Sequence, residues 1–247
     1  MSTYVLIPGA GGVAAFWHLV EDELRRRGRH TIAVDLPGDD PAAGLPQYTD
    51  LVVEAVEADG KAVDGDPGGL VVVGQSLGGF TAPLVCARLP ASLLVLVNGM
   101  IPRPGETPGE WWDATGQAAA LRASDVREGR DPDAGFDLAT YFLHDLPQSE
   151  IDALLKNNRD ESDAAFGTPF TLDAWPDVPT RVITGRDDRF FPADFQRRVA
   201  RERLGITPDE VPGGHLAPLS HPRELVDQLE AYGTGRPEGG PRPSRRG

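Results

Sequence analysis

Gly74-Gln75-Ser76-Leu77-Gly78 follows the apolar run Leu70 to Val73 and precedes a helix-like segment, Thr81 to Leu89. A serine between two glycines at a strand-to-helix boundary has the makings of a nucleophile. In a sharp, strained turn its hydroxyl stands above the sheet, where a substrate can reach it. Glycine at both flanking positions lets strand and helix approach closely enough to make the turn. The turn also leaves the first amides of the following helix unpaired, which suits an anion forming beside the hydroxyl.

A serine hydroxyl is a weak nucleophile at neutral pH and needs a base, and histidine titrates close enough to neutrality to serve. Of the five histidines, His18 falls in a helical pattern, His30 precedes a strand, His144 sits in a stretch without strands and His221 begins the last helix. His215, in Pro212-Gly213-Gly214-His215, occupies a post-strand loop late in the chain and is the expected base. The base in turn needs a carboxylate to fix its tautomer and stabilise its cation. Asp187 and Asp188 both follow the strand-like Arg181 to Thr184. The spacing from Gly185 and to Pro192 favours Asp188, with Asp187 as a turn-forming or solvated carboxylate. Asp35 also follows a strand, but in a Pro/Gly loop ahead of the serine, where a turn role fits better. Ser76, Asp188, His215 is the chain order expected for serine, acid and base on a sheet of this kind.

The elements that must position these groups alternate along the chain. Tyr4 to Ile7, Thr31 to Val34, Leu70 onward, Leu93 to Val97, Arg181 to Thr184 and Glu210-Val211 read as strands. Helical spacing links Phe16, Leu19, Val20 and Leu24, then Thr49 to Val63, a segment after Pro192 to about Leu204, and Pro222 to Tyr232. Such alternation implies about six mainly parallel strands with helices on both faces. In these sheets active sites gather at the carboxyl ends of the strands. Pro8 to Gly12, Ser76, Asn98, Asp187/Asp188 and His215 each lie just after a strand and should meet at that edge. The span 103–178 has no strand-like run, only short helical stretches with aromatics such as Trp111-Trp112 and Tyr141-Phe142. It reads as a helical lid inserted into a core of 1–102 and 179–235, with the Pro/Gly/Arg-rich 236–247 as a disordered tail. The lid aromatics are expected mainly as packing.

The chain has 247 residues and a formal charge of −14, which argues against nucleic acid or an anionic membrane surface as partner. One cysteine, Cys86, excludes an internal disulfide and a Cys-rich metal site. Met1-Ser2-Thr3 runs straight into the first strand, without a basic leader or cleavage site, and no apolar run is long enough to span a bilayer. A cytoplasmic protein acting on a small molecule is the expectation.

Leu6-Ile7-Pro8-Gly9-Ala10, Gly74 to Gly79, Gly185-Arg186-Asp187-Asp188-Arg189-Phe190-Phe191-Pro192 and Gly214-His215 together resemble the α/β-hydrolase-fold enzymes with a helical lid. The similarity runs from Tyr4 to Tyr232, and the small-residue loop ending in Phe16-Trp17 is similar to that of the methylesterase and hydroxynitrile lyase branch. Two features depart from the family. Pro8-Gly9 replaces the usual His-Gly, which alters packing but leaves the backbone amides in place. The antiparallel first hairpin of larger members is missing, which trims the sheet edge away from the site.

The resemblance implies Ser76 as nucleophile, His215 as general base and then acid, Asp188 as its orienting partner, and the amides of Ala10 and Leu77 as an oxyanion hole. It implies hydrolysis of a carboxylic ester of a small to medium apolar substrate, with no metal or organic cofactor. Three other readings share the fold. A hydroxynitrile-lyase-like enzyme would want a supporting lid lysine, and Lys156 is the lid's only one. A thioesterase would use the same chemistry, although an acidic carrier protein would be repelled by this surface. A non-hydrolytic small-molecule receptor would bind in the lid pocket without turnover. A serine at the elbow excludes halide or epoxide displacement, which needs a carboxylate there.

Overall fold

The computed structural model describes residues 2–60, 69–157 and 159–234. Six strands form one sheet: β1 (Thr3–Ile7), β2 (His30–Ala33), β3 (Leu70–Gln75), β4 (Ala91–Val97), β5 (Thr180–Gly185) and β6 (Asp209–Val211). Every neighbouring pair is parallel, in the order β2-β1-β3-β4-β5-β6. The chain therefore adds β2 on one side of β1 and then reverses, placing β3 to β6 on the other. The reversal lies between β1 and β3, where Ile7 pairs with Gly74. A crevice opens at such a switch point, because the loops leaving the two strands depart toward opposite faces.

The strands read as continuous apolar runs because both faces of the sheet are buried. Alternate residues divide between two cores. Val5, Ile7, Val72, Leu94, Leu96 and Val182 face one, and Tyr4, Leu6, Val71, Val73, Val95, Val97 and Ile183 face the other. The first core is closed by α2 (Leu45–Asp59), α3 (Gly78–Cys86) and α9 (Ala193–Leu204). Residues Val20 and Leu24 of α1 (His18–Arg26) and Leu225, Val226 and Leu229 of α11 (Pro222–Thr234) close the second.

Helix α2 starts at Leu45 rather than at the expected Thr49. Pro46 fits a first helical turn because its missing amide would go unpaired there anyway. The Gln47 side chain accepts from the Gly44 amide at 3.0 Å. Left-handed Gly60 closes the helix after Asp59, and the expected continuation to Val63 lies outside the described residues. Between β4 and β5 the described chain holds five helices and no strand: α4 (Pro108–Thr115), α5 (Gln117–Arg127), α6 (Leu138–Tyr141), α7 (Gln148–Asn157) and α8 (Asp163–Gly167). The four-residue α10 (Ala217–Ser220) precedes α11. The tail 236–247 lies outside the described residues. Among the described residues, no helix is long and apolar enough to cross a membrane.

Candidate active site

β3 delivers Ser76 directly into α3, and the turn is tight enough to force Ser76 to φ +50°. Non-glycine residues rarely occupy this left-handed region, and holding one there costs about 1–2 kcal/mol. The flanking glycines make room for the turn. A Cβ on Gly74 would lie 2.5 Å from the Gly78 carbonyl oxygen, and one on Gly78 would lie 2.6 Å from the Pro8 carbonyl oxygen. The loop after β1 presses on the same turn: a Cβ on Gly9 would meet Gln75 Oε1 at 2.5 Å and Ser76 Cβ at 2.9 Å. Ala10 follows immediately. Among the described residues, neither the Ala10 nor the Leu77 amide meets a protein acceptor.

The structure brings Ser76, His215 and Asp188 into one hydrogen-bonded chain. Asp188 Oδ2 accepts from His215 Nδ1 at 2.8 Å, which leaves Nε2 facing Ser76 Oγ at 3.0 Å. With Nδ1 donating, Nε2 is the nitrogen free to take the hydroxyl proton. His215 is fully buried and Ser76 keeps partial exposure, so the serine and not the imidazole meets solvent. The rings of Phe142, Phe190 and Phe191 stand edge-on to the imidazole at 4.9, 5.3 and 4.8 Å.

Asp188 also accepts from the Phe190 and Phe191 amides at 2.9 and 2.8 Å and from Gln196 Nε2 at 3.2 Å. Four donors thus hold a buried carboxylate whose own turn supplies two of them. Asp187 points elsewhere: it is exposed, and its carboxylate accepts from the Gly213 amide at 3.2 Å. Asp35 accepts from the Ala14 amide at 2.8 Å and the Arg159 guanidinium at 2.9 Å, far from the imidazole in the network.

Asn98, expected at this edge without a role, ties the site together. It sits fully buried at φ +46°, donates from Nδ2 to the Gly214 and His215 carbonyls at 3.0 and 3.1 Å, and accepts from the Gly185 amide at 2.6 Å. Gln75 adds a bond from Nε2 to the His215 carbonyl at 3.2 Å. The sequence reading missed Gln75 and Gln196, and the signal was there: an amide side chain embedded in an apolar strand or helix face must find buried partners.

None of the other four histidines enters this hydrogen-bonded chain, although His144 and His221 pack against the Gly214 and Gly213 backbone. His18 meets Glu150 at 3.3 Å, His30 meets Asp59 at 2.8 Å, and His221 contacts Ser220. A cleft of about 530 Å³ opens behind the acid loop, lined by charged residues including Arg127, Arg186, Asp187 and Arg189. It touches Asp188 but neither Ser76 nor His215. Among the described residues, no group of three His, Cys, Asp or Glu side chains is placed to hold a metal ion.

The Alpha/beta hydrolase family matches residues 4–228. A curated protein of Oryza sativa subsp. indica, "Probable esterase PIR7A", is 26% identical over 262 residues, which span 92% of this chain and 94% of that protein. Polyneuridine aldehyde esterase superposes with a TM-score of 0.74 at 20% identity, covering 94% of this chain and 99% of its own. The pyrethroid hydrolase PytH gives 0.72 at 21%, covering 94% and 98%, and the methylesterase MES16 from Arabidopsis gives 0.68 at 18%, covering 94% and 98%. The fold is that of the α/β hydrolases.

Proposed function

Because the chain belongs to the Alpha/beta hydrolase family, we propose that it is a serine hydrolase cleaving carboxylic esters of small to medium apolar substrates. The observation that carries this reading is the chain from Ser76 Oγ through His215 to Asp188, with links of 3.0 and 2.8 Å, on a serine held at φ +50°. The esterase names of the relatives support the same reaction class.

In this mechanism His215 Nε2 takes the Ser76 proton as Oγ attacks the ester carbonyl. The oxyanion forms between the amides of Ala10 and Leu77, where each donor is worth roughly a hundredfold or more in rate. The imidazolium, stabilised by Asp188, protonates the leaving alcohol, and an acyl-enzyme remains on Ser76. Water then repeats the cycle and releases the acid. No step needs a metal or an organic cofactor. The three phenylalanine rings around His215 give the site an apolar wall. The helical segment 103–178, which supplies Phe142, acts as the lid over it.

The test is turnover of a p-nitrophenyl ester series of increasing acyl length, with a fluorophosphonate label read by intact mass. Wild type should turn over and take one label, and Ser76→Ala should do neither. Asp188→Asn should lower kcat by about 10⁴, the scale set by loss of the correct histidine tautomer, whereas Asp187→Asn should stay close to wild type. A folded wild type that is neither labelled nor active refutes the reading and favours a receptor.

A further inference from the structure

The segment between β4 and β5 grips the site through two carboxylates. Glu161 Oε2 accepts from the Gly11 amide at 2.6 Å, and its other oxygen accepts from the Tyr48 hydroxyl at 2.5 Å. Asp145 Oδ2 accepts from the Gly214 amide at 2.6 Å. Gly11 is one residue past Ala10, and Gly214 is one residue before His215.

Both contacts are built into the backbone. Gly11 sits at φ +84°, and a Cβ there would lie 2.5 Å from the Arg159 carbonyl oxygen, so the chain around Glu161 packs directly on the glycine loop. The Arg159 guanidinium reaches the Gly12 carbonyl at 3.2 Å, and the Ser162 amide donates to the Gly38 carbonyl at 2.7 Å. At the other loop, a Cβ on Gly214 would meet His144 Nε2 at 2.8 Å and Asp145 Oδ1 at 3.1 Å. Backbone of the segment at Gly11 and its side chains at Gly214 occupy the space that any larger residue would take.

A carboxylate accepting from a backbone amide makes a charge-assisted bond, shorter and stronger than a neutral one. Fixing an amide fixes its whole peptide plane. Gly11's plane includes the Ala10 Cα and carbonyl, so Glu161 fixes one end of the residue whose amide lies two backbone torsions further back. Gly214's plane is held by Asp145 on one side, while Asn98 holds the Gly214 and His215 carbonyls.

Resting on the ester-hydrolase reading, we propose that Glu161 and Asp145 are positioning residues: they couple the seating of the helical segment to the oxyanion amide of Ala10 and to the imidazole of His215. The segment then does more than cover the site. Catalytic geometry is complete only when both carboxylates are docked.

The test measures kcat and KM separately with a p-nitrophenyl ester, and the rate of fluorophosphonate labelling, on the full chain. Glu161→Ala and Asp145→Ala should each lower kcat and labelling by about tenfold, in line with the cost of small misplacements in a site. KM should stay within about twofold, as for groups acting mainly in the transition state. Glu161→Gln and Asp145→Asn keep an accepting oxygen and should recover most of the loss. Should an alanine variant fail to fold, the conservative pair remains, together with Tyr48→Phe, which frees one oxygen of Glu161 and should lower kcat about threefold. Alanine variants with wild-type kcat, losses matched by a rise in KM, or losses not recovered by the conservative variants overturn the proposal, as does wild-type kcat in Tyr48→Phe. A wild type that takes no label at Ser76 instead defeats the ester-hydrolase reading itself.

Discussion

Replacing Asn98 by alanine is a severe test of how the site is held. Four polar contacts end on this side chain, and their losses differ. The Gly185 amide donates to Oδ1 at 2.6 Å and is left without that acceptor in a buried place, a cost of about 2 kcal/mol. The Gly214 carbonyl keeps the Ala217 amide at 3.2 Å, the His215 carbonyl keeps Gln75, and Gln196 keeps Asp188 and the Phe191 carbonyl. These remaining losses together cost about 1 kcal/mol, because each group retains a partner. Alanine at φ +46° adds about 1 kcal/mol, since asparagine tolerates the left-handed region better. The expected destabilisation is about 4 kcal/mol, a fall in Tm of roughly 8–16 °C for a domain of this size. Urea unfolding with the m-value monitored is the assay. Asn98→Gly separates the terms, because it loses the same bonds without the strain and should recover about 1 kcal/mol of it. A loss below about 1 kcal/mol in Asn98→Ala would show that these bonds are replaced in solution and that Asn98 does not hold the histidine loop.

Two further outcomes follow from the same geometry. Gly9→Ala puts a methyl group 2.5 Å from Gln75 Oε1 and 2.9 Å from Ser76 Cβ. The loop must move away from the serine, and kcat for ester turnover should fall at least tenfold, on the scale of losing an oxyanion donor; unchanged kcat would remove the Ala10 amide from the mechanism. Burial pushes the Glu161 carboxyl above its usual range, partly offset by the Tyr48 hydroxyl, the Gly11 amide and Arg159, while Asp35 and Asp39 lie beyond these partners. A raised folded pKa means that the folded protein holds this proton more tightly than the unfolded chain. The resulting penalty is absent below the unfolded pKa, near 4.3, and grows as pH rises through the folded value. The Tm of Glu161→Gln relative to wild type should therefore be more favourable at pH 8 than at pH 4; the opposite trend contradicts the assignment.

Much of this architecture was legible because the relevant signals are local. β1 and β3 are apolar on consecutive residues, and that pattern marks a strand covered on both faces without reference to anything distant. Ser76 is legible for the same reason, since strand, glycine, serine, glycine and helix all lie within a dozen residues. The polar groups that hold the loops are different. Asn98 and Gly214 are 116 residues apart, and Glu161 and Gly11 are 150 apart. Nothing near Glu161 in the chain distinguishes it from the many solvated acids of a protein with charge −14. Its meaning comes from the glycine loop it meets, which only the fold supplies. The start of α2 at Leu45 escaped for a smaller reason: Pro46 reads as a loop residue until its place in a first helical turn is known.

The sheet itself explains why amide and carboxylate side chains are needed. Ser76 leaves β3, a six-residue strand paired on both sides, and inherits that strand's rigidity. His215 follows β6, a three-residue strand at the sheet edge that pairs only with β5. So short a ladder fixes little of the chain beyond it, and the next element, α10, has only four residues. On the proposed mechanism, a base that must stay within hydrogen-bond reach of a rigid serine therefore needs anchors from the interior. Asn98 and Gln75 supply them from the ends of the two central strands, β4 and β3, and Asp188 from the loop after β5. The weakly framed imidazole is thus tied to its strongly framed neighbours, and on the proposed mechanism a change at Asn98 should reach the chemistry without touching the substrate.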